Sequence, residues 1–300
     1  MAERDEEDFG QKRIVYEMPG MQAAIVQKDI TYKTVDGQEL RLDVYYPEEY
    51  DGDRRLPAVL FVHGDGPPEL LQDAKEWGQY VSWGQLVAAV GLIGVTFNHR
   101  STENLTRLYE VAGDVDDLIS YARDQARKLG IDAGRLGIWV GSAGGPFGLR
   151  AALRGTASYV RCVVSYYGIA DLQVYYDEPA EVAGGAEETE ETEETVETEQ
   201  EFPELSEEVF DEFSASASVK KAASGTPPML IVRAGLDYPQ LNASIDRLIT
   251  AALAKNVNID VMNHATGRHA FDILDDNARS REIIQATVEF LRAELTRGAD

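Results

Sequence analysis

The chain has 300 residues, 44% of them hydrophobic, and a formal charge of −25 from 53 acidic and 28 basic side chains. That size fills one large α/β domain without staples, and the single cysteine, Cys162, excludes an internal disulfide. The acid excess disfavours nucleic acid and anionic membranes, whose phosphates it would repel. No run of eighteen apolar residues is present to span a bilayer, and the acidic start, Met1-Ala2-Glu3-Arg4-Asp5, lacks the basic and apolar regions of a signal peptide. A cytoplasmic protein is the expectation.

Residues 1–20 read as an acidic extension and 21–298 as one domain. Two early strands, 24–33 and 39–46, flank Val35-Asp36-Gly37, and Asp-Gly between alternating runs is a hairpin signal. Strands and helices then alternate: a strand at 57–62, a helix near 83–90, a strand at 92–98, a long helix over about 107–129, a strand at 135–140, a helix from Gly144, and a strand at 160–166. Another strand at 228–234, a helix at 240–255 and a strand at 257–263 precede the last helix. Such alternation predicts a parallel sheet with helices on both faces and ligands beyond the carboxyl ends of its strands.

The run Leu136-Gly137-Ile138-Trp139-Val140-Gly141-Ser142-Ala143-Gly144-Gly145 is the most informative in the chain. An apolar strand ends on small residues, a serine follows, and a helix begins at once. That pattern predicts a tight strand-to-helix turn that lifts Ser142 clear of the sheet as a nucleophile. The match to G-x-S-x-G is incomplete, because Val140 stands where the first glycine belongs.

A serine nucleophile needs a base and a carboxylate that holds the base's tautomer. Where the serine stands on a strand-to-helix turn of this kind, the expected chain order is serine, then carboxylate, then histidine; of four histidines, His63 and His99 precede Ser142, which leaves His264 and His269. His269 lies in Thr266-Gly267-Arg268-His269-Ala270-Phe271-Asp272, a turn between a strand-like run and the last helix, and is the expected base. His264, nearer the strand, is read as structural. Asp237 follows the strand at 228–234 on the same sheet edge as Ser142 and is the expected carboxylate. Asp272 is a rival, but three residues from His269 it is read as bracing that loop.

The developing oxyanion needs donors. The Ala143 amide is one; the second is expected from Gly64 or Asp65, in the loop His63-Gly64-Asp65-Gly66 after the strand at 57–62. His63 is read as structural, with its ring bonded to nearby backbone. Tyr166 and Tyr167, at the end of their strand, and Trp77 or Trp83, near the oxyanion loop, are candidates either for the core or for the substrate pocket.

Together these residues resemble the α/β-hydrolase superfamily, and within it the dienelactone-hydrolase-like esterases and peptidase-like hydrolases. The resemblance runs from about Ile25 to Leu295 and rests on four motifs in order: His63-Gly64-Asp65-Gly66, Gly141-Ser142-Ala143-Gly144-Gly145, Ala234-Gly235-Leu236-Asp237 and Gly267-Arg268-His269-Ala270-Phe271-Asp272. It implies a mostly parallel eight-stranded sheet flanked by helices, and hydrolysis through an acyl-enzyme. Dienelactone hydrolases proper use a cysteine nucleophile, whereas this chain has Ser142, so general ester hydrolysis of a small-molecule substrate is the expectation. Acyl transfer or peptide cleavage on the same triad, or a non-catalytic binding protein of the same fold, are the alternatives.

Residues 178–213 break the pattern, with 16 Asp or Glu and no Lys or Arg. Like-charge repulsion and the lack of large apolar groups are expected to keep the Glu/Thr-rich centre loose. Phe202, Leu205, Val209, Phe210 and Phe213 could form one apolar face of a short helix. By position this insertion is either a tolerated surface loop or a lid over the active site. No H-E-x-x-H, Cys/His cluster, P-loop or dinucleotide fingerprint is present, so neither metal nor cofactor is expected. Nothing in the sequence excludes a homodimer.

Overall fold

Asp36 and Gly37 both adopt positive φ, 53° and 79°, and turn β1 (Ile25–Val35) back onto β2 (Gln38–Tyr46). The computed structural model describes residues 9–154, 158–177, 203–222 and 225–298. Past the hairpin the chain alternates β3 (Leu56–Val62), α1 (Gly78–Ala89), β4 (Ile93–Phe97), α2 (Leu108–Asp124), β5 (Ile131–Gly141), α3 (Gly145–Leu153) and β6 (Val160–Tyr166). It continues with α4 (Leu172–Asp177), α5 (Glu207–Phe213), α6 (Ala215–Lys221), β7 (Met229–Ala234), α7 (Pro239–Ala254), β8 (Ile259–His264) and α8 (Ala278–Thr296).

The strands form one eight-stranded sheet in the order β1-β2-β4-β3-β5-β6-β7-β8. β1 and β2 are antiparallel, as are β2 and β4; the remaining neighbours are parallel. Burial follows position. β3 and β4 are buried almost throughout, as strands covered by helices on both faces must be, whereas the edge strands β1 and β8 leave many residues exposed. Parallel pairing aligns the strand ends, with Val62 opposite Val140, Gly141 opposite Tyr166, and Ala234 opposite His264. The loops after β3, β5, β7 and β8 therefore emerge at one edge.

Two local expectations differ, and a third is met in part. The single helix expected over 107–129 breaks at Gln125, where φ −93° and ψ 12° end α2 and a separate turn, Ala126–Leu129, follows. Residues 9–20, read as an extension, pack on the body: Ile14 is buried, the Val15 amide donates to the Asp272 carbonyl at 2.7 Å, and the Gly78 amide donates to the Gly10 carbonyl at 2.7 Å. Of the acidic insertion, 178–202, including Phe202, lies outside the described residues. Its end does form the expected apolar face: Ser206 caps α5, and Phe210 and Phe213 are buried. That face turns onto α2 and α3, with Phe213 5.2 Å from Tyr109 and 6.2 Å from Phe147 between ring centres. Arg150 of α3 donates from Nε and Nη2 to Glu212 Oε1 at 3.0 and 2.9 Å. Residues 203–213 are thus fastened to the side of the domain.

Candidate active site

Ser142 follows β5 with φ 51°, the left-handed conformation of a sharp turn. The glycine two residues on is dictated sterically, because a Cβ on Gly144 would overlap the His63 carbonyl oxygen. The missing glycine two residues earlier also has a cause. Val140 is fully buried in β5, and its Cγ1 fills the place of a Cβ on Gly148. The room usually left by a glycine before the serine is supplied here by a glycine in the facing helix.

The loops after β7 and β8 are stitched together by the Gly235 amide on the His264 carbonyl and the Leu236 amide on the Gly267 carbonyl, both at 2.9 Å. Side chains at either glycine would obstruct this: a Cβ on Gly235 would overlap the Ala265 carbonyl, and one on Gly267 would stand 2.6 Å from His264 Cγ. The closure brings His269 Nδ1 to 2.8 Å from Asp237 Oδ2 and 3.0 Å from Oδ1. His269 Nε2 lies 3.0 Å from Ser142 Oγ. The Asp237 carboxylate is fully buried and also accepts the Tyr238 amide at 2.8 Å, while a third of the His269 side chain is exposed. A buried carboxylate on Nδ1 keeps the proton there and leaves Nε2 as the acceptor for the serine hydroxyl. Ser142, His269 and Asp237, chosen from the sequence, meet in one hydrogen-bonded array.

Of the expected oxyanion donors, the Ala143 amide follows the serine directly. Gly64 lies against the serine, its hypothetical Cβ 3.6 Å from Ser142 Cβ, but its amide donates to Tyr80 Oη at 3.3 Å. The Gly64 amide is thereby engaged by a side chain. The Asp65 amide has no backbone or side-chain acceptor among the described residues. His63 Nδ1 donates to the Gly64 carbonyl at 2.6 Å, because Nε2 accepts the His99 amide at 3.2 Å. In a trans peptide the Asp65 N–H points opposite to that held carbonyl. His63 is thus structural and fixes the plane of the peptide whose amide remains free. Burial, and then the stacked His99 ring 3.7 Å away, hold the His63 imidazole well below its ordinary pKa.

Of the two places open to the aromatic candidates, Tyr166, Tyr167 and Trp83 take the buried one. Tyr166 is fully buried, bonded to Thr287 Oγ1 at 2.6 Å and packed against Trp83 and Trp139, so it belongs to the core. Trp83 is core too, and Trp77 packs against Phe9 and Tyr80. Tyr167 is buried with its ring 4.7 Å from that of His269, supporting that imidazole rather than lining a pocket. Its hydroxyl donates to Asp272 Oδ1 at 2.5 Å, and Asp272 Oδ2 accepts Gln79 Nε2 and Trp83 Nε1 at 2.8 and 3.0 Å. Asp272 therefore braces the His269 loop from below; burial pushes its carboxyl pKa up, and these donors oppose the rise. His264 is buried, with Nε2 3.1 Å from Ser280 Oγ, a structural place.

A cavity of about 530 Å³ opens beside Ala143, walled by Asp65, Pro67, Thr102, Leu105, Ile169 and Tyr175. Sequence reasoning missed Tyr80, Gln79, Thr102, Leu105, Ile169 and Tyr175. Thr102, Leu105 and Ile169 had one available signal, their place in loops after parallel strands; the others depend on helix packing.

The BD-FAE family model matches residues 42–239, about two thirds of the chain and the stretch that carries Ser142, the Asp65 loop and Asp237. The chain belongs to the BD-FAE family. Its fold is that of esterase 2 from Thermogutta terrifontis: the native form of that protein superposes with a TM-score of 0.66 at 18% identity, over 94% of this chain and 97% of that one. The same esterase phosphorylated by paraoxon gives 0.64 at 17% identity, over 93% and 95%. Among curated proteins, the non-reducing polyketide synthase trt4 of Aspergillus terreus is 26% identical over 159 residues, 49% of this BD-FAE chain. The match spans only 6% of that synthase. The α/β-hydrolase resemblance stands, and the dienelactone-hydrolase subtype is not carried by these matches.

Proposed function

We propose that the chain is a carboxylic ester hydrolase that works through an acyl-enzyme on Ser142. The observation that carries this reading is the array in which Ser142 Oγ lies 3.0 Å from His269 Nε2 and His269 Nδ1 lies 2.8 Å from Asp237. His269 takes the Ser142 proton as Oγ attacks the ester carbonyl. The amides of Ala143 and Asp65 receive the oxyanion. His269 then returns the proton from Nε2 to the leaving alcohol, and a water molecule activated by the same nitrogen releases the acid. The alcohol leaves on the exposed side of His269, so the cavity beside Ala143 takes the acyl group.

Esterase 2 of Thermogutta terrifontis is described as phosphorylated by paraoxon and, in another form, as propionate-bound. Organophosphates and short carboxylates are correspondingly proposed to meet Ser142 and its cavity here. The test is hydrolysis of p-nitrophenyl esters from acetate to decanoate by wild type and by Ser142→Ala. Activity falls by several decades in the variant, about a millionfold being typical for loss of a serine nucleophile. Near-normal turnover by Ser142→Ala rejects the reading.

A further inference from the structure

Three consecutive residues beside the cavity, Glu103, Asn104 and Leu105, adopt positive φ of 49°, 56° and 67°. None is glycine, and left-handed backbone is disfavoured for residues that carry a Cβ, for Asn least, so such a run persists only where its surroundings enforce it. The enforcement comes from the loop that carries the free Asp65 amide. Asp65 Oδ1 accepts the Thr102 amide at 3.1 Å, and Oδ2 accepts the Thr102 hydroxyl. That hydroxyl in turn accepts the Leu105 amide at 3.0 Å, the last of the three left-handed residues. In parallel, Ser101 Oγ donates to the Gly66 carbonyl at 2.6 Å and accepts the Glu103 amide at 3.0 Å. Ser101 and Thr102 are both buried, which shields these bonds from water.

We propose that the Asp65 carboxylate is a positioning group for catalysis: by anchoring on Thr102 it holds its own backbone amide toward the oxyanion and sets the Leu105 wall of the acyl cavity. The inference rests on the esterase reading above and goes beyond it. One residue supplies the donor through its main chain and the brace through its side chain. The peptide plane is held at its carbonyl end by His63 and at its Cα end by Thr102, so the amide has little freedom left. A donor of this kind acts only if it already lies at hydrogen-bond distance from the position the oxyanion will occupy. A plain turn-capping role for Asp65 would affect stability and leave the partition between turnover and binding untouched.

Four variants separate these roles: Asp65→Ala, Asp65→Asn, Thr102→Val and Ser142→Ala. Each is assayed for p-nitrophenyl butyrate kcat and KM, for inhibition by an alkylboronic acid that forms a tetrahedral adduct on serine, and for thermal melting. Asp65→Ala lowers kcat by about ten- to a hundredfold, short of the full loss of an oxyanion donor, with KM within about twofold. Boronic acid affinity falls by a similar factor. Asp65→Asn restores most of both, because its carbonyl oxygen still accepts the Thr102 amide, and Thr102→Val falls between. Folded Asp65→Ala with kcat within about twofold of wild type, or with unchanged boronic acid affinity, overturns the proposal. If Asp65→Ala does not fold, Thr102→Val decides, and wild-type kcat in that variant overturns it equally. Activity persisting in Ser142→Ala defeats the esterase reading instead, and so distinguishes the two failures.

Discussion

Val140 Cγ1 occupies the volume that a Cβ on Gly148 would need, so the residue two before Ser142 and the fourth residue of α3 share one space. Gly148→Ala gains about 1 kcal/mol of helix propensity but loses about 1–3 kcal/mol to overpacking against a rigid β-branched side chain. The net expectation is a less stable protein with reduced turnover, because α3 is pushed away from the strand that presents Ser142. Val140→Gly in the same chain removes the clash. Urea unfolding of both single variants and the double should show a favourable coupling of about 1 kcal/mol or more; simple additivity contradicts the shared-space account.

The φ of 51° at Ser142 has a separate consequence. Ser142→Gly and Ser142→Ala both remove the hydroxyl, but only glycine adopts this conformation without strain. Ser142→Gly should therefore unfold at higher denaturant than Ser142→Ala, by roughly 1 kcal/mol of stability. Equal midpoints would mean that the turn relaxes once the hydroxyl is gone.

Asp272 gathers the Tyr167 hydroxyl, Gln79 Nε2 and Trp83 Nε1 in a site closed to water. Asp272→Ala strands the Tyr167 hydroxyl and the Trp83 indole N–H, leaves Gln79 Nε2 only its bond to Tyr167, and should destabilise the domain by about 3 kcal/mol or more. Because the Tyr167 ring lies under His269, kcat should fall as well, even where the variant remains folded. Melting curves and steady-state kinetics on the same preparation test both effects.

Stability should also fall on the acid side of pH 6.5 through His63. Unfolded, this imidazole takes up a proton near its ordinary value of 6.5; folded, burial and His99 hold it neutral to well below that. Between the two values the unfolded state binds more protons, so stability rises with pH there. The contribution is fully present above about pH 6.5 and is lost as pH falls, at up to about 1.4 kcal/mol per pH unit. Denaturant titrations between pH 5 and 7.5 measure it, and His63→Phe should flatten the slope in that window.

Local chemistry made much of the site readable in advance. Ser142, Asp237 and His269 each stand in a short motif whose small residues are required on the spot: Gly144 by the His63 carbonyl, Gly235 by the Ala265 carbonyl, Gly267 by the His264 ring. The roles of Val140, Tyr166 and Tyr167 were not readable. An aromatic residue at a strand end looks the same in sequence whether its ring meets Trp139, as Tyr166 does, or the imidazole of His269, as Tyr167 does.

The sequence by itself determined the strand–helix alternation, the sharp turn at Ser142 and the chain order of serine, aspartate and histidine, because periodicity and glycine requirements act over a few residues. The tertiary structure decided which amide of the Gly64–Asp65 loop stays free, where the apolar face of α5 docks and what walls the cavity. Each of those outcomes depends on partners far away in the chain: Tyr80 for Gly64, Arg150 for Glu212, and Thr102 for Asp65. Only the packing of helices against a parallel sheet brings such partners within hydrogen-bond reach.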